Sequence, residues 1–225
     1  QDEPYAPSRM SLRSIVEAGT CKRSLQIDYD EDVCYQAVQK IYDYSRDKNS
    51  NPFMLMASFT HPHNPFVTTK EFWDLYNHSD IEMPKVPWSP ISSRDPWSQR
   101  YALTIREDEH NVSESDLRNA RHAYLGMVSY FDSLIGRIVH SLKECDFYKN
   151  TYIFVVADHG EMLGERGTWF KFLPFEWSVR VPIIASGPNM EAGKIETHYT
   201  SLVDLLPTFV DLATSGKGYE FSDNL

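Results

Sequence analysis

Tyr152-Ile153-Phe154-Val155-Val156-Ala157 runs straight into Asp158-His159-Gly160-Glu161. An unbroken apolar run of this length, rich in β-branched and aromatic side chains, predicts a strand buried on both faces, as in parallel sheets. Phe53-Met54-Leu55-Met56-Ala57-Ser58-Phe59, bounded by Pro52 and Pro62, predicts a second such strand. It ends in Thr60-His61-Pro62-His63-Asn64-Pro65. Residues 181–185 predict a third strand. In open α/β sheets, ligands sit beyond the carboxyl ends of the strands. Two strands that both end in polar clusters therefore predict one shared site at one rim of the sheet.

Helices fill the intervals. Leu117, Ala120, Tyr124, Met127, Phe131, Leu134, Ile138 and Leu142 recur every three or four residues, so 114–144 reads as one long helix with Ser113 as its N-cap. Val33, Ala37, Ile41 and Tyr44 mark a helix over 31–46, capped by Asp28 or Asp30 and broken by Asn49-Ser50-Asn51-Pro52. A short helix is expected near 70–77 and a final one over 201–213. Residues 1–30 read as irregular, and 62–112, rich in proline and tryptophan, as loops over a scaffold. Strand, helix, strand, strand, helix implies an α/β fold, a mixed or parallel sheet with helices on its faces.

Composition narrows the function. Across 225 residues the formal net charge is -10, which argues against a nucleic-acid partner. No run approaches the roughly 18 apolar residues of a membrane helix. Cys21, Cys34 and Cys145 show no zinc-like or disulfide spacing and read as free thiols. That fits a cytoplasmic setting, with a periplasmic or secreted one as the alternative. The sequons at Asn77 and Asn111 matter only in a eukaryotic secretory pathway.

The candidate chemistry lies at the strand ends. Asp158 and His159 offer a carboxylate oxygen and an imidazole nitrogen on adjacent residues, suited to a divalent ion with oxygen-rich partners from elsewhere. Gly160 would let the backbone turn and approach a ligand. Taken alone, Asp-His-Gly reads as a helix cap beside a surface histidine; the strand end favours the metal. His61 and His63 flank a proline and could serve an anionic oxygen or a leaving group, or simply be solvated. Lys171, between Phe170 and Phe172, is either a snorkelling surface lysine or a cation aimed at an anion.

Three groups of residues carry a resemblance. They are Ala157-Asp158-His159-Gly160-Glu161-Met162-Leu163-Gly164-Glu165-Arg166-Gly167 with Trp169-Phe170-Lys171 and Arg180-Val181-Pro182, then residues 52–65, and residues 118–127 with Asp204-Leu205-Leu206-Pro207-Thr208. Together they resemble the sulfatase family of the alkaline-phosphatase superfamily, in particular its choline-sulfatase branch. The resemblance spans about residues 25–213. It implies an alkaline-phosphatase-like α/β/α sandwich with a mostly parallel central sheet, incomplete in this chain. It implies a small anionic sulfate ester as substrate, choline sulfate in this branch, and a homo-oligomer in the full-length protein. Asp158 and His159 would be ligands of one divalent cation, Ca2+ or alternatively Mn2+ or Mg2+. Lys171 would bind the sulfuryl and bridging oxygens. His63 would assist the leaving group or hold a sulfuryl oxygen, with His61 a weaker candidate nearby.

The family's nucleophile is a formylglycine made from cysteine in a Cys-x-Pro/Ser/Ala-x-Arg motif, and no cysteine here stands in one. Residues 1–225 therefore read as the central part of one catalytic domain, without the nucleophile segment or C-terminal subdomain, and inactive alone. The rival readings are a phosphonate or phosphate ester hydrolase of the same superfamily and a non-catalytic pseudo-sulfatase domain.

Overall fold

The computed structural model describes residues 11–48 and 51–216. The first of two compact units, residues 1–188, holds α1 (Arg13–Val16), β1 (Gly19–Cys21), α2 (Leu25–Arg46), β2 (Val67–Thr69), α3 (Lys70–Trp73), α4 (Pro96–Thr104), α5 (Glu114–Glu144), β3 (Ile153–Val156), α6 (Glu176–Val179) and β4 (Ile183–Ser186). The second, residues 189–225, holds α7 (Leu205–Thr214), preceded by a single turn at Leu202–Asp204. Residues 1–10, part of the stretch read as irregular, and Asn49 and Ser50, part of the expected helix break, lie outside the described residues. Among the described residues no helix is long and apolar enough to cross a membrane.

Helix α5 is the spine. It begins in a reciprocal capping box: the Ser113 hydroxyl accepts from the Asp116 N–H, and the Asp116 carboxylate accepts from the Ser113 N–H. Its buried stripe, Ala120, Ala123, Met127, Tyr130 and Leu134, faces two clusters. Ala120, Ala123 and Met127 pack with Leu12, Ile15, Phe66, Tyr101, Ile105, Trp169, Phe170 and Leu173. Tyr130 and Leu134 pack with Ile27 and Cys34 of α2. Fully burying side chains such as Met127 and Leu134 stabilises by roughly 1.5–3 kcal/mol each. Gly126 lets β2 approach the helix, since a Cβ there would lie 2.8 Å from Thr68 Cγ2.

Helix α2 starts earlier than the apolar periodicity indicates. Neither Asp28 nor Asp30 caps it; the Ser24 hydroxyl accepts from the Ile27 N–H at 3.2 Å. Its buried positions, Ile27, Asp30, Cys34, Ala37 and Ile41, form a regular stripe. A carboxylate occupies one of them, so a search for apolar residues alone loses the first turns. The helix near 70–77 proves shorter, Lys70–Trp73. Helix α4 emerges within the expected loops, capped by Asp95 with Pro96 in its first turn.

The strands pair in two ways. β1 and β2 run parallel, Gly19 opposite Val67 through Cys21 opposite Thr69. β3 and β4 run antiparallel, Ile153 opposite Ser186. Residues 53–59 depart from expectation, since among the described residues they join no ladder. Their side chains alternate: Phe53, Leu55, Ala57 and Phe59 are half-buried, whereas Met54 and Met56 are 72% and 82% exposed. One face only is covered, by the stacking of Phe53 on Tyr44 and the edge-to-face contact of Phe59 with Phe131. A strand buried on both faces would need cover for Met54 and Met56 too.

Candidate functional site

Lys171 stands at the centre of the site. Its ammonium lies 2.7 Å from His159 Nε2 and 3.2 Å from His63 Nε2. Asp158 Oδ1 is 3.5 Å from His159 Nε2. The end of β3, the loop after residues 53–59 and the segment before α6 thus bring Asp158, His159, His63 and Lys171 together.

Both imidazoles are set in the same way. His63 Nδ1 lies 2.8 Å from the Asn64 carbonyl, and His159 Nδ1 2.8 Å from the Gly160 carbonyl. A carbonyl only accepts, so each Nδ1 carries its hydrogen and each Nε2 turns its lone pair toward the lysine. The lysine's backbone is pinned as well. Ser178 donates its hydroxyl to the Lys171 carbonyl, and Tyr101 donates to the Trp169 carbonyl at 2.6 Å. The carboxylate of Glu161 accepts from the N–H groups of Phe170 and Leu163, at 2.6 and 3.2 Å. Burial pushes the Glu161 carboxyl up to about 7, against the lowering effect of those N–H groups and of Lys171.

His61 does not join this group. It turns inward, with Nδ1 2.6 Å from Asp30 Oδ2 and its ring edge-on to Tyr130. Asp30 also accepts from the Thr60 and His61 N–H groups at 2.7 and 3.0 Å, and from the Thr60 hydroxyl. Burial pushes the Asp30 carboxyl up, but these hydrogen bonds outweigh it and hold it below the usual carboxylate range. Gly160 is needed for packing, because a Cβ there would lie 2.1 Å from the Trp177 carbonyl oxygen. Asp30 and Ser178 escape a reading for motifs, and Glu161 stands in one without its role being evident. Only the placement of Asp30 on the apolar stripe of α2 hints at its burial.

The donor set at Asp158 and His159 fits half of a divalent-cation site. An exposed carboxylate lies beside an imidazole whose Nε2 lone pair, here facing the Lys171 ammonium at 2.7 Å, would have to turn to the metal instead. Among the described residues no group of three or more His, Cys, Asp or Glu side chains forms a complete shell.

The sulfatase family model matches residues 8–215. The choline-sulfatase of Rhizobium meliloti is 39% identical over 206 residues, which cover 90% of this chain and 40% of that protein. An arylsulfatase of Clostridium perfringens is 30% identical, over 78% of this chain and 37% of its own length. The chain thus spans about 40% of the length of the curated relatives it matches. Among solved structures, a phosphonate monoester hydrolase from Silicibacter pomeroyi superposes with a TM-score of 0.70 at 22% identity, covering 90% of this chain and 43% of that one. That likeness gives the fold, the alkaline-phosphatase-like architecture in part. The match along nearly the whole chain, together with the strand-end cluster, places this protein in the sulfatase family.

Proposed function

We propose that the full-length protein hydrolyses sulfuric esters, with choline sulfate as its substrate. The observation that carries this reading is the convergence of His63 Nε2 and His159 Nε2 on the Lys171 ammonium. An ammonium held between two imidazoles is placed to meet the oxygens of a sulfuryl group. Lys171 binds those oxygens and the bridging oxygen as negative charge grows there. His63, once protonated, presents Nε2–H to the departing alcohol, because its Nδ1 is already committed to the Asn64 carbonyl. Asp158 and His159 hold a divalent cation, calcium with manganese or magnesium as alternatives, which when bound adds positive charge beside the ester. The attacking group is expected from a formylglycine outside this chain. Choline as the alcohol is supported by the 39% identity to a choline-sulfatase.

The test is a side-by-side assay of the purified full-length protein on choline sulfate, an aryl sulfate and a phosphonate monoester, with metal analysis. Choline sulfate should give the highest kcat/KM. Lys171→Ala should lower kcat by about 10²–10³-fold, the scale of losing one charge-stabilising donor. Asp158→Ala should leave the protein folded with its metal content reduced. Failure to turn over any sulfate ester, or preference for the phosphonate, overturns the reading.

A further inference from the structure

His63 is exposed and sits in a loop with no regular secondary structure, with cis bonds at His61–Pro62 and Asn64–Pro65. Its ring nevertheless needs a definite orientation to face Lys171. The restraint comes from helix α2. Gln26 Nε2 donates to the carbonyls of His63 and Asn64, both at 2.9 Å. The Asn64 carbonyl is the one that accepts from His63 Nδ1, so the Gln26 amide and the His63 ring meet at a single oxygen. One helical turn on, Asp30 fixes the start of the same loop through Thr60 and His61. Positions four apart lie on one face of a helix. The helix is itself anchored to α5: the Tyr130 hydroxyl donates to the Ile27 carbonyl at 3.4 Å and Arg137 pairs with Glu31 at 2.7 Å.

We propose that Gln26 and Asp30 are positioning residues that hold His63 against Lys171. The inference rests on the reading of His63 as the group that serves the leaving alcohol. A second observation separates this role from packing. Gln26 Oε1 is buried and has no hydrogen-bond partner among the described residues. An unsatisfied buried acceptor is destabilising, so a side chain chosen for stability alone would be apolar. The amide's two donors are what it contributes.

The test uses the full-length protein with Gln26→Met, which keeps the volume and removes both donors, and Asp30→Asn. Two sulfate esters are compared, one with an alkyl alcohol as leaving group and one with nitrophenol, which departs without a proton. Gln26→Met should lower kcat on the alkyl ester about tenfold, the scale of a small misplacement of a catalytic group. It should leave KM and Tm unchanged, and change the nitrophenyl rate far less. In a His63→Ala background it should add nothing, since the two residues act in one chain. Equal loss on both esters, additivity with His63→Ala, or full activity of Gln26→Met beside an impaired His63→Ala overturns the inference. If Asp30→Asn does not fold, Gln26→Met still decides. Full activity of His63→Ala on the alkyl ester would instead sink the leaving-group role. Histidine-selective NMR then decides the positioning: Gln26→Met must shift the His63 ring signals, and unmoved signals overturn it.

Discussion

Asp30 shows how much a single buried charge can organise. Its carboxylate receives bonds from Thr60 and His61 that hold it in the ionised form. Its folded pKa lies below the unfolded value of about 3.9. The stability it lends is therefore present above pH ~4 and lost as pH falls through the folded value. Asp30→Asn should destabilise the protein by about 2–4 kcal/mol at pH 7, since it leaves donors facing a poorer acceptor in a buried site. Denaturant unfolding at pH 7 and pH 3 checks this: the gap to wild type should narrow in acid. A gap of constant size at both pH values would mean that the charge contributes nothing. Lys171, by contrast, was visible in the sequence as a cation among aromatics, but its two imidazole neighbours were visible only as separate motifs.

Among the elements, α5 was legible in full because its apolar stripe and serine cap are local signals. β3 was legible as a strand for the same reason, an apolar run closed by Asp158, but not in its surroundings: it pairs antiparallel with β4, and Val156 is exposed where cover on both faces was expected. The start of α2 was hidden because Gln26 and Asp30, which hold the histidine loop, put polar side chains on its covered face, where the periodicity looks for apolar ones. β1 and β2 were invisible, as three residues each carry no period. Residues 53–59 were misjudged because an apolar run shows that a segment wants cover, not how many faces receive it. The contact of α5 with β2 gives a prediction at this scale. Gly126→Val would drive a branched side chain into Thr68 and the Phe72 carbonyl, so it should cost about 1–3 kcal/mol. Urea unfolding measures it. A variant as stable as wild type would show that α5 and β2 can separate freely.

For the whole molecule, exposed apolar surface and net charge oppose each other. Met54 and Met56 face outward, as does Ile184 of β4. Large exposed apolar side chains of this kind bind hydrophobic dyes and other chains. The charge of -10 keeps copies apart in dilute buffer. The 225-residue chain expressed alone should bind an anilinonaphthalene dye and self-associate more as salt screens its charge. Met54→Lys with Met56→Lys should reduce both effects in light scattering and fluorescence; no change would locate the sticky surface elsewhere. The parallel register of β1 with β2 also sets a timetable for synthesis. Residues 19–21 leave the ribosome well before residues 67–69, and α2 emerges long before the α5 positions it packs on. Nascent α2 must therefore wait, with Ile27 and Cys34 uncovered, until the later partners arrive, a period in which a chaperone would find it an obvious client.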